Sequence, residues 1–170
     1  TIRNATTVVL GQVEAASGGM VLGVTQDITD AVTQSGTTIL NVDSLTVSTA
    51  STVTLTNDNT INTLNAVTTD GLFSLTNAQG LDAMGAINSG TGGVTLNLTS
   101  GQLTIDAAAD ITAGGDVSLT APGGITTAGD VTTTGDAVDF ISAVTLTGNV
   151  VVTTAGGNID ATTIDATSSG

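Results

Sequence analysis

Short strands that alternate apolar and other residues recur along this chain at a nearly constant interval, and this repeat constrains the fold more than any other feature. The strands that align best are Val53-Thr-Leu55, Phe73-Ser-Leu75, Leu96-Asn-Leu98, Val117-Ser-Leu119 and Val138-Asp-Phe140. Their first residues lie 20, 23, 21 and 21 positions apart. Two further apolar nuclei fall within each interval, as Ile125 and Val131 do in one of them, so the pattern predicts three short strands per repeat.

The residues within and between these strands favour a coil with three corners. Apolar residues alternate with Thr, Ser, Asn or Asp, which places one set of side chains inside and the other in solvent. Gly, Gly-Asp or Asn separates the strands, as expected of tight turns. A hairpin meander uses the same residue types, but a repeat of about 21 residues closes a triangle whose coils stack at about 4.8 Å. We therefore predict an all-β, right-handed parallel β-helix, or β-solenoid, of about eight coils.

The repeat extends over nearly the whole chain, although less regularly at its start. Residues Thr7 to Thr49 account for roughly two looser coils, and Ile159 and Ile164 begin a last one. We expect residues 1–170 to form a single solenoid domain that is a segment or repeating unit of a longer rod or fibre. Only Arg3 and Glu14 are charged near the start, which is too little for a lid, so we expect end-to-end association.

Composition excludes several classes of protein. Aromatic residues make up 1% of the chain, so the core must be aliphatic. The formal net charge is −14 with Arg3 as the single base, which excludes nucleic-acid binding because Lys and Arg carry it. No apolar run is long enough for a membrane-spanning helix. The absence of cysteine excludes disulfides and thiolate metal sites.

Aspartate pairs are the candidates for catalysis, because the chain has no His, Cys or Lys. Two carboxylates could act as the acid and base of a glycosidase. The pairs closest in sequence are Asp106/Asp110, Asp130/Asp136 and Asp136/Asp139. Such a site also needs aromatic platforms, and the chain has no Trp or Tyr. We therefore interpret these aspartates as solubilising groups, and predict no enzyme and no catalytic, cofactor-binding or metal-binding residues.

Two binding alternatives remain open. Calcium could bind stacked oxygen-rich corners, for which the candidates are Gly115-Asp116, Gly129-Asp130 and Gly135-Asp136. The full repeat motif of calcium-binding β-rolls does not occur, however. Ice could bind a flat face of Thr-x-Thr pairs, which occur at Thr52/Thr54/Thr56, Thr132/Thr134 and Thr145/Thr147. Alignment of the coils places these pairs on different faces, so ice binding is the less favoured alternative.

Three stretches carry a resemblance to a known family. They are "GGDVSLTAPGGITTAGDVTTTGD", "AVTLTGNVVVTTAGGNIDATTIDA" and "DITDAVTQSGTTILNVDSLTVSTA". These phrases resemble the degenerate repeats of the filamentous haemagglutinin-like exoproteins of Gram-negative bacteria, and the similarity covers most of the chain after about residue 20. The resemblance implies a right-handed β-helix exported to the cell surface, with a role in adhesion or fibre formation and no catalysis. The amino-terminal secretion domain of that family is not recognisable here.

The expected function is therefore structural. We predict a stiff rod or stalk in a bacterial surface or extracellular fibre or adhesin, which contacts itself end to end or contacts flanking repeats of the same chain. Surface glycans of a host or of neighbouring cells are further candidate partners. The alternative is a solenoid module that binds glycan or calcium on one face.

Overall fold

The computed structural model describes residues 1–167, and these residues form an all-β chain in which the strands pair in parallel. No helix occurs in this range. The strands of the first half are β1 (Val8–Leu10), β2 (Val13–Leu22), β3 (Val32–Gln34), β4 (Leu40–Ser48), β5 (Val53–Thr68), β6 (Phe73–Asn77), β7 (Leu81–Ala83), β8 (Ile87–Asn88) and β9 (Val94–Leu98). The strands of the second half are β10 (Leu103–Ile105), β11 (Ile111–Ala113), β12 (Val117–Thr120), β13 (Ile125–Thr127), β14 (Val131–Thr133), β15 (Val138–Phe140), β16 (Val144–Leu146), β17 (Val152–Thr153), β18 (Ile159–Ala161) and β19 (Ile164–Ala166).

Parallel pairing between successive coils builds three faces. Face 1 consists of β1, β3, the start of β5, β6, β9, β12, β15 and β18. Face 2 consists of the starts of β2 and β4, the middle of β5, and then β7, β10, β13, β16 and β19. Face 3 consists of the ends of β2, β4 and β5, and then β8, β11, β14 and β17. The predicted parallel β-solenoid is confirmed.

Face 1 gives the number and the length of the coils. Its eight rungs begin at residues 8, 32, 53, 73, 94, 117, 138 and 159, so successive rungs are 24, 21, 20, 21, 23, 21 and 21 residues apart. Stacking at about 4.8 Å makes the rod about 40 Å long. The prediction of about eight coils with a period near 21 residues is confirmed.

One predicted alignment within this column is wrong. Val94 lies opposite Phe73 and Val117, whereas the sequence alignment placed Leu96 there. The strand VTLNL has three inward apolar residues, so two registers satisfy the alternating pattern equally well. The corner selects between them, because the Phe73 N–H donates to the Gly93 carbonyl at 3.0 Å and the rung therefore starts at Val94.

The coils before Phe73 differ from those after it. β2, β4 and β5 are 10, 9 and 16 residues long, and each continues around a corner that interrupts the later coils. Register shifts mark these bends, for example between Ala15 and Gly19 of β2. The three-strand pattern therefore holds after Phe73, whereas neighbouring strands of the earlier coils are fused.

The core is a column of aliphatic side chains with two phenylalanines. Phe73 is 0% and Phe140 is 3% exposed, and both occupy inward positions of face 1. Inward Val, Leu, Ile and Ala from all three faces form one continuous cluster. Each fully buried side chain of this size contributes about 1.5–3 kcal/mol, so neighbouring coils stabilise one another through the shared column.

Buried hydroxyls stabilise the corner between face 3 and face 1. The side chains occupy the last inward position of face 3, and they are Thr49, Thr69, Ser89, Thr133 and Thr154. Each donates to a backbone carbonyl two or three residues later, as Thr69 does to Gly71 O at 2.7 Å and Ser89 to Gly92 O at 2.7 Å. These bonds satisfy carbonyls that the turn removes from the ladder. An inward hydroxyl interrupts the apolar–x–apolar pattern at these rungs. It can be buried there because it is hydrogen-bonded.

Two buried asparagines stabilise the corner between face 1 and face 2. Asn59 and Asn77 are both 0% exposed and lie in register with each other. Asn77 Oδ1 accepts the Ile61 N–H at 2.9 Å, and its Nδ2 donates to the Ile61 carbonyl at 3.0 Å. Asn59 Oδ1 accepts the Leu40 N–H at 2.8 Å in the coil before. The asparagines therefore replace backbone ladder bonds where the chain bends.

The two ends of the described stack differ. At the amino end, Ile2 pairs with Leu22 and Ala5 with Ile28, which adds a partial rung to face 3. Arg3 Nε lies 3.3 Å from Asp27 Oδ2 and ties this segment to the next coil. At the other end, the last rungs of faces 1 and 2 are exposed along their whole length.

Candidate functional site

Two of the three candidate calcium corners use their carboxylate within the fold. Asp116 Oδ1 accepts the Ala137 N–H of the next coil at 2.8 Å, and Asp130 Oδ1 accepts the Val151 N–H at 2.8 Å. Asp136 uses its backbone carbonyl to accept the Thr133 hydroxyl. A carboxylate that accepts a backbone N–H from the next coil closes a corner where the ladder is interrupted. The carboxylates of Asp116 and Asp130 therefore have a structural role at their corners.

Of the three candidate acid–base pairs, Asp106 and Asp110 share the corner between β10 and β11, whereas the other two pairs are divided between elements. Asp106 Oδ1 accepts the Ala108 N–H at 3.0 Å, and Asp110 Oδ1 accepts the Asp130 N–H at 2.9 Å. Asp130 precedes β14 on face 3, whereas Asp136 lies at the following corner and Asp139 is an outward residue of face 1. The members of the pairs Asp130/Asp136 and Asp136/Asp139 therefore belong to different elements.

The structure aligns a carboxylate pair that the sequence analysis did not propose. Asp139 and Asp160 lie opposite each other on β15 and β18. They line a depression of about 320 Å³ together with Phe140, Ile141, Ala161 and Thr162. Like charges on directly opposite rungs destabilise a sheet. Sequence spacing could have identified the pair, because 21 residues separate the two aspartates.

Metal-ligand geometry is not found in the described part of the chain. Within residues 1–167, no three His, Cys, Asp or Glu side chains lie close enough together to hold a metal ion.

Two candidate corner carboxylates already accept backbone N–H groups, so we expect calcium to stabilise this protein no more than another divalent cation does. We expect Ca²⁺ and Mg²⁺, compared at equal ionic strength, to raise the melting temperature by the same amount, because both only screen a net charge of −14. Differential scanning calorimetry over a titration of each salt measures this. A saturable rise with Ca²⁺ alone would show a specific site and contradict the prediction.

The Thr-x-Thr pairs fall on different faces, as predicted. Thr54 is an outward residue of face 1, Thr145 of face 2 and Thr132 of face 3. These pairs therefore do not form a common surface.

Face 1 nevertheless carries two outward columns of small polar side chains. The first column contains Thr33, Thr54, Ser74, Thr95 and Ser118. The second contains Thr76, Asn97 and Thr120. We call these eight residues the hydroxyl grid. A search restricted to Thr-x-Thr misses it, since Ser and Asn occupy three of its positions.

The last coil exposes side chains that are buried in every coil below it. Ile159 and Ile164 are 47% and 49% exposed, although they lie opposite Val138 and Val144, which are 0% and 1% exposed. The same column positions therefore change from buried to exposed at the last described coil. This apolar edge and the hydroxyl grid are the two surfaces that stand out in the described chain.

Comparison with known proteins adds no relative. No protein-family model, no curated protein and no solved structure matches this chain. No helix in residues 1–167 is long and apolar enough to cross a membrane.

Proposed function

We propose that this protein is a structural component of a bacterial cell-surface or extracellular fibre or adhesin, in which it acts as a stiff rod or stalk. One observation carries the proposal: eight coils stack in parallel without interruption over the described residues. The resemblance of its repeats to filamentous haemagglutinin-like exoproteins supports the surface location.

Stiffness follows from the direction of the hydrogen bonds. Ladder bonds join each coil to the next on all three faces and therefore run parallel to the rod axis. Bending the rod would stretch many of these bonds together, whereas a pull along the axis distributes the load over three ladders at every coil. The corner aspartates Asp116 and Asp130 add further bonds in the same direction.

The charge distribution favours association along the axis over association side by side. The net charge of −14 is carried by outward and corner residues, and such a surface repels a parallel neighbour. The exposed Ile159 and Ile164 lie on the last described coil instead. An open parallel edge with apolar side chains is a template for another strand. The partner that fits it in the purified protein is a solenoid edge of a second copy.

We expect the purified chain to form end-to-end rods whose formation depends on this apolar edge. The double variant Ile159→Asp/Ile164→Asp should abolish association, because it places charges where the next coil would contact the core. Negative-stain electron microscopy and sedimentation velocity over a concentration series measure rod length and mass. The wild type should give rods longer than the single unit of about 40 Å.

Ile141→Asp provides the matched control, because Ile141 is also an exposed isoleucine, at 56%, but lies on the side of the rod. It should leave the rod length unchanged. A wild type that stays monomeric at all concentrations, or rods that Ile141→Asp shortens equally, would contradict end-to-end stacking.

A further inference from the structure

The hydroxyl grid is a two-dimensional array of outward side chains on face 1. Within its first column, Thr54 lies opposite Ser74, Ser74 opposite Thr95, and Thr95 opposite Ser118. In the second column, Asn97 lies between Thr76 and Thr120. Parallel rungs are about 4.8 Å apart, and outward residues on one strand are about 6.6 Å apart. The grid therefore presents polar groups at two fixed spacings in perpendicular directions.

The coils that carry the grid differ in length, but the side chains of its first column stay in register. The coils that carry it differ by up to three residues, since successive rungs are 20, 21 and 23 residues apart from Val53 to Val117. The first column stays in register from Thr54 to Ser118, whereas a register shift after Leu55 means that the second column begins only at Thr76. The first column therefore keeps its register while the coil length changes.

The polar side-chain groups of the grid have no hydrogen-bond partner among the described residues. No side chain of the eight grid residues takes part in a hydrogen bond within the described range 1–167. Ser74 is the sharpest case, because it is only 9% exposed and lies at the centre of the first column. Its neighbours Phe73 and Leu75 point into the core, so its hydroxyl points outward into the array. Such a group needs water or a ligand as its partner.

The chemistry of the grid selects among surfaces that could bind it. The eight residues include no charge, and the threonines add a methyl group beside each hydroxyl. Methyl groups restrict the first shell of water while hydroxyls anchor it. Both aromatic residues of the chain are buried, so the face has no ring on which a sugar could stack. A regular, uncharged array of hydroxyl and methyl groups matches a crystalline lattice of water better than a glycan.

We infer that face 1 binds ice through the hydroxyl grid, with ordered surface water as the contact layer. Oxygen rows in hexagonal ice repeat on a similar scale to the two grid spacings, so water held by one rung continues the row held by the next. The grid is bounded by Val9 on the first rung and by Asp139 on the rung after Ser118. The charged rungs of Asp139 and Asp160 lie outside the binding surface.

The test measures the gap between the melting and freezing temperatures of the solution, and the shape of growing ice crystals, with the full 170-residue chain. The wild type should shape ice crystals and open a gap. Thr95→Lys should lose both, because a long charged side chain at the centre of the grid lifts the ice surface off its neighbours. Thr120→Lys in the second column should also lose both effects. It replaces Thr95→Lys in the test if that variant does not fold.

Thr132→Lys is the matched control on face 3, where Thr132 occupies the equivalent outward position of a threonine column. It should keep the gap and the crystal shape of the wild type. The inference is overturned if the wild type neither shapes ice nor opens a gap, or if Thr132→Lys and Thr95→Lys lose the effect equally. Sedimentation with chitin or cellulose that Thr95→Lys abolishes, without any effect on ice, would instead assign the grid to a polysaccharide and also overturn it.

Discussion

Asn77→Ala should lower the free energy of unfolding by about 3–4 kcal/mol, since it leaves buried backbone groups without partners. The Asn77 amide holds both the N–H and the carbonyl of Ile61, at 2.9 and 3.0 Å, and also donates to Gln79 O at 3.1 Å. The residue is 0% exposed, so water cannot replace these bonds without opening the corner. Urea denaturation followed by circular dichroism measures the loss.

Two further variants separate hydrogen bonding from packing at this corner. Asn77→Leu keeps an inward side chain of similar size, and the next rung already carries Leu98 opposite this position. It should still be destabilised, because leucine cannot pair with the Ile61 backbone. Asn97 is an outward asparagine whose side chain makes no hydrogen bond in the described structure, so Asn97→Ala should change stability by less than about 0.5 kcal/mol. A fully stable Asn77→Leu would show that volume, and not the amide, holds the corner.

The sequence predicted the architecture because the strongest physical signal in the chain is periodic. Inward valines such as Val53, Val117 and Val138 recur about 21 residues apart or at a multiple of that interval, and they are buried as expected. Threonine and aspartate fill the outward positions between them. The fold class, the strand direction and the number of coils all follow from that repeat.

The register between paired strands was harder to predict from the sequence, because the corners determine it. The strand that begins at Val94 satisfies two registers, and only the contact between Phe73 and Gly93 selects one. The roles of Asn59, Asn77 and the buried threonines were missed for a related reason. A polar residue at an inward position breaks the apolar alternation, and its partner is a backbone group that no sequence pattern records.

The candidate site was predicted only in part. The sequence located the Gly-Asp corners and the Thr-x-Thr pairs, but not what they contact. Asp116 and Asp130 accept backbone N–H groups from the next coil, which requires knowing which residues are stacked. The hydroxyl grid depends on the same knowledge, since Ser74 and Asn97 belong to it only through their register with Thr54 and Thr120. The pairing of strands about 21 residues apart decides which side chains lie together on one surface.

The corner glycines have a different cause from the one that turn chemistry suggests. Positive φ angles occur at some of them, such as Gly101 at 79°, but Gly92 is not among these. A Cβ atom at Gly92 would lie 2.2 Å from Gly71 C and 2.2 Å from Leu72 N, which are backbone atoms of the coil below. Stacked corners approach too closely here for any side chain.

Gly92→Ala should therefore destabilise the protein by about 3 kcal/mol, because the added methyl group forces two backbones apart at the point where coils are stacked. Thermal and urea denaturation measure the change. Gly11→Ala is the matched control, since a Cβ atom there would meet nothing within 4 Å and the φ angle is not positive. That variant should be neutral or more stable by up to about 1 kcal/mol. Equal effects of the two substitutions would mean that backbone flexibility, rather than contact between coils, explains glycine at this corner.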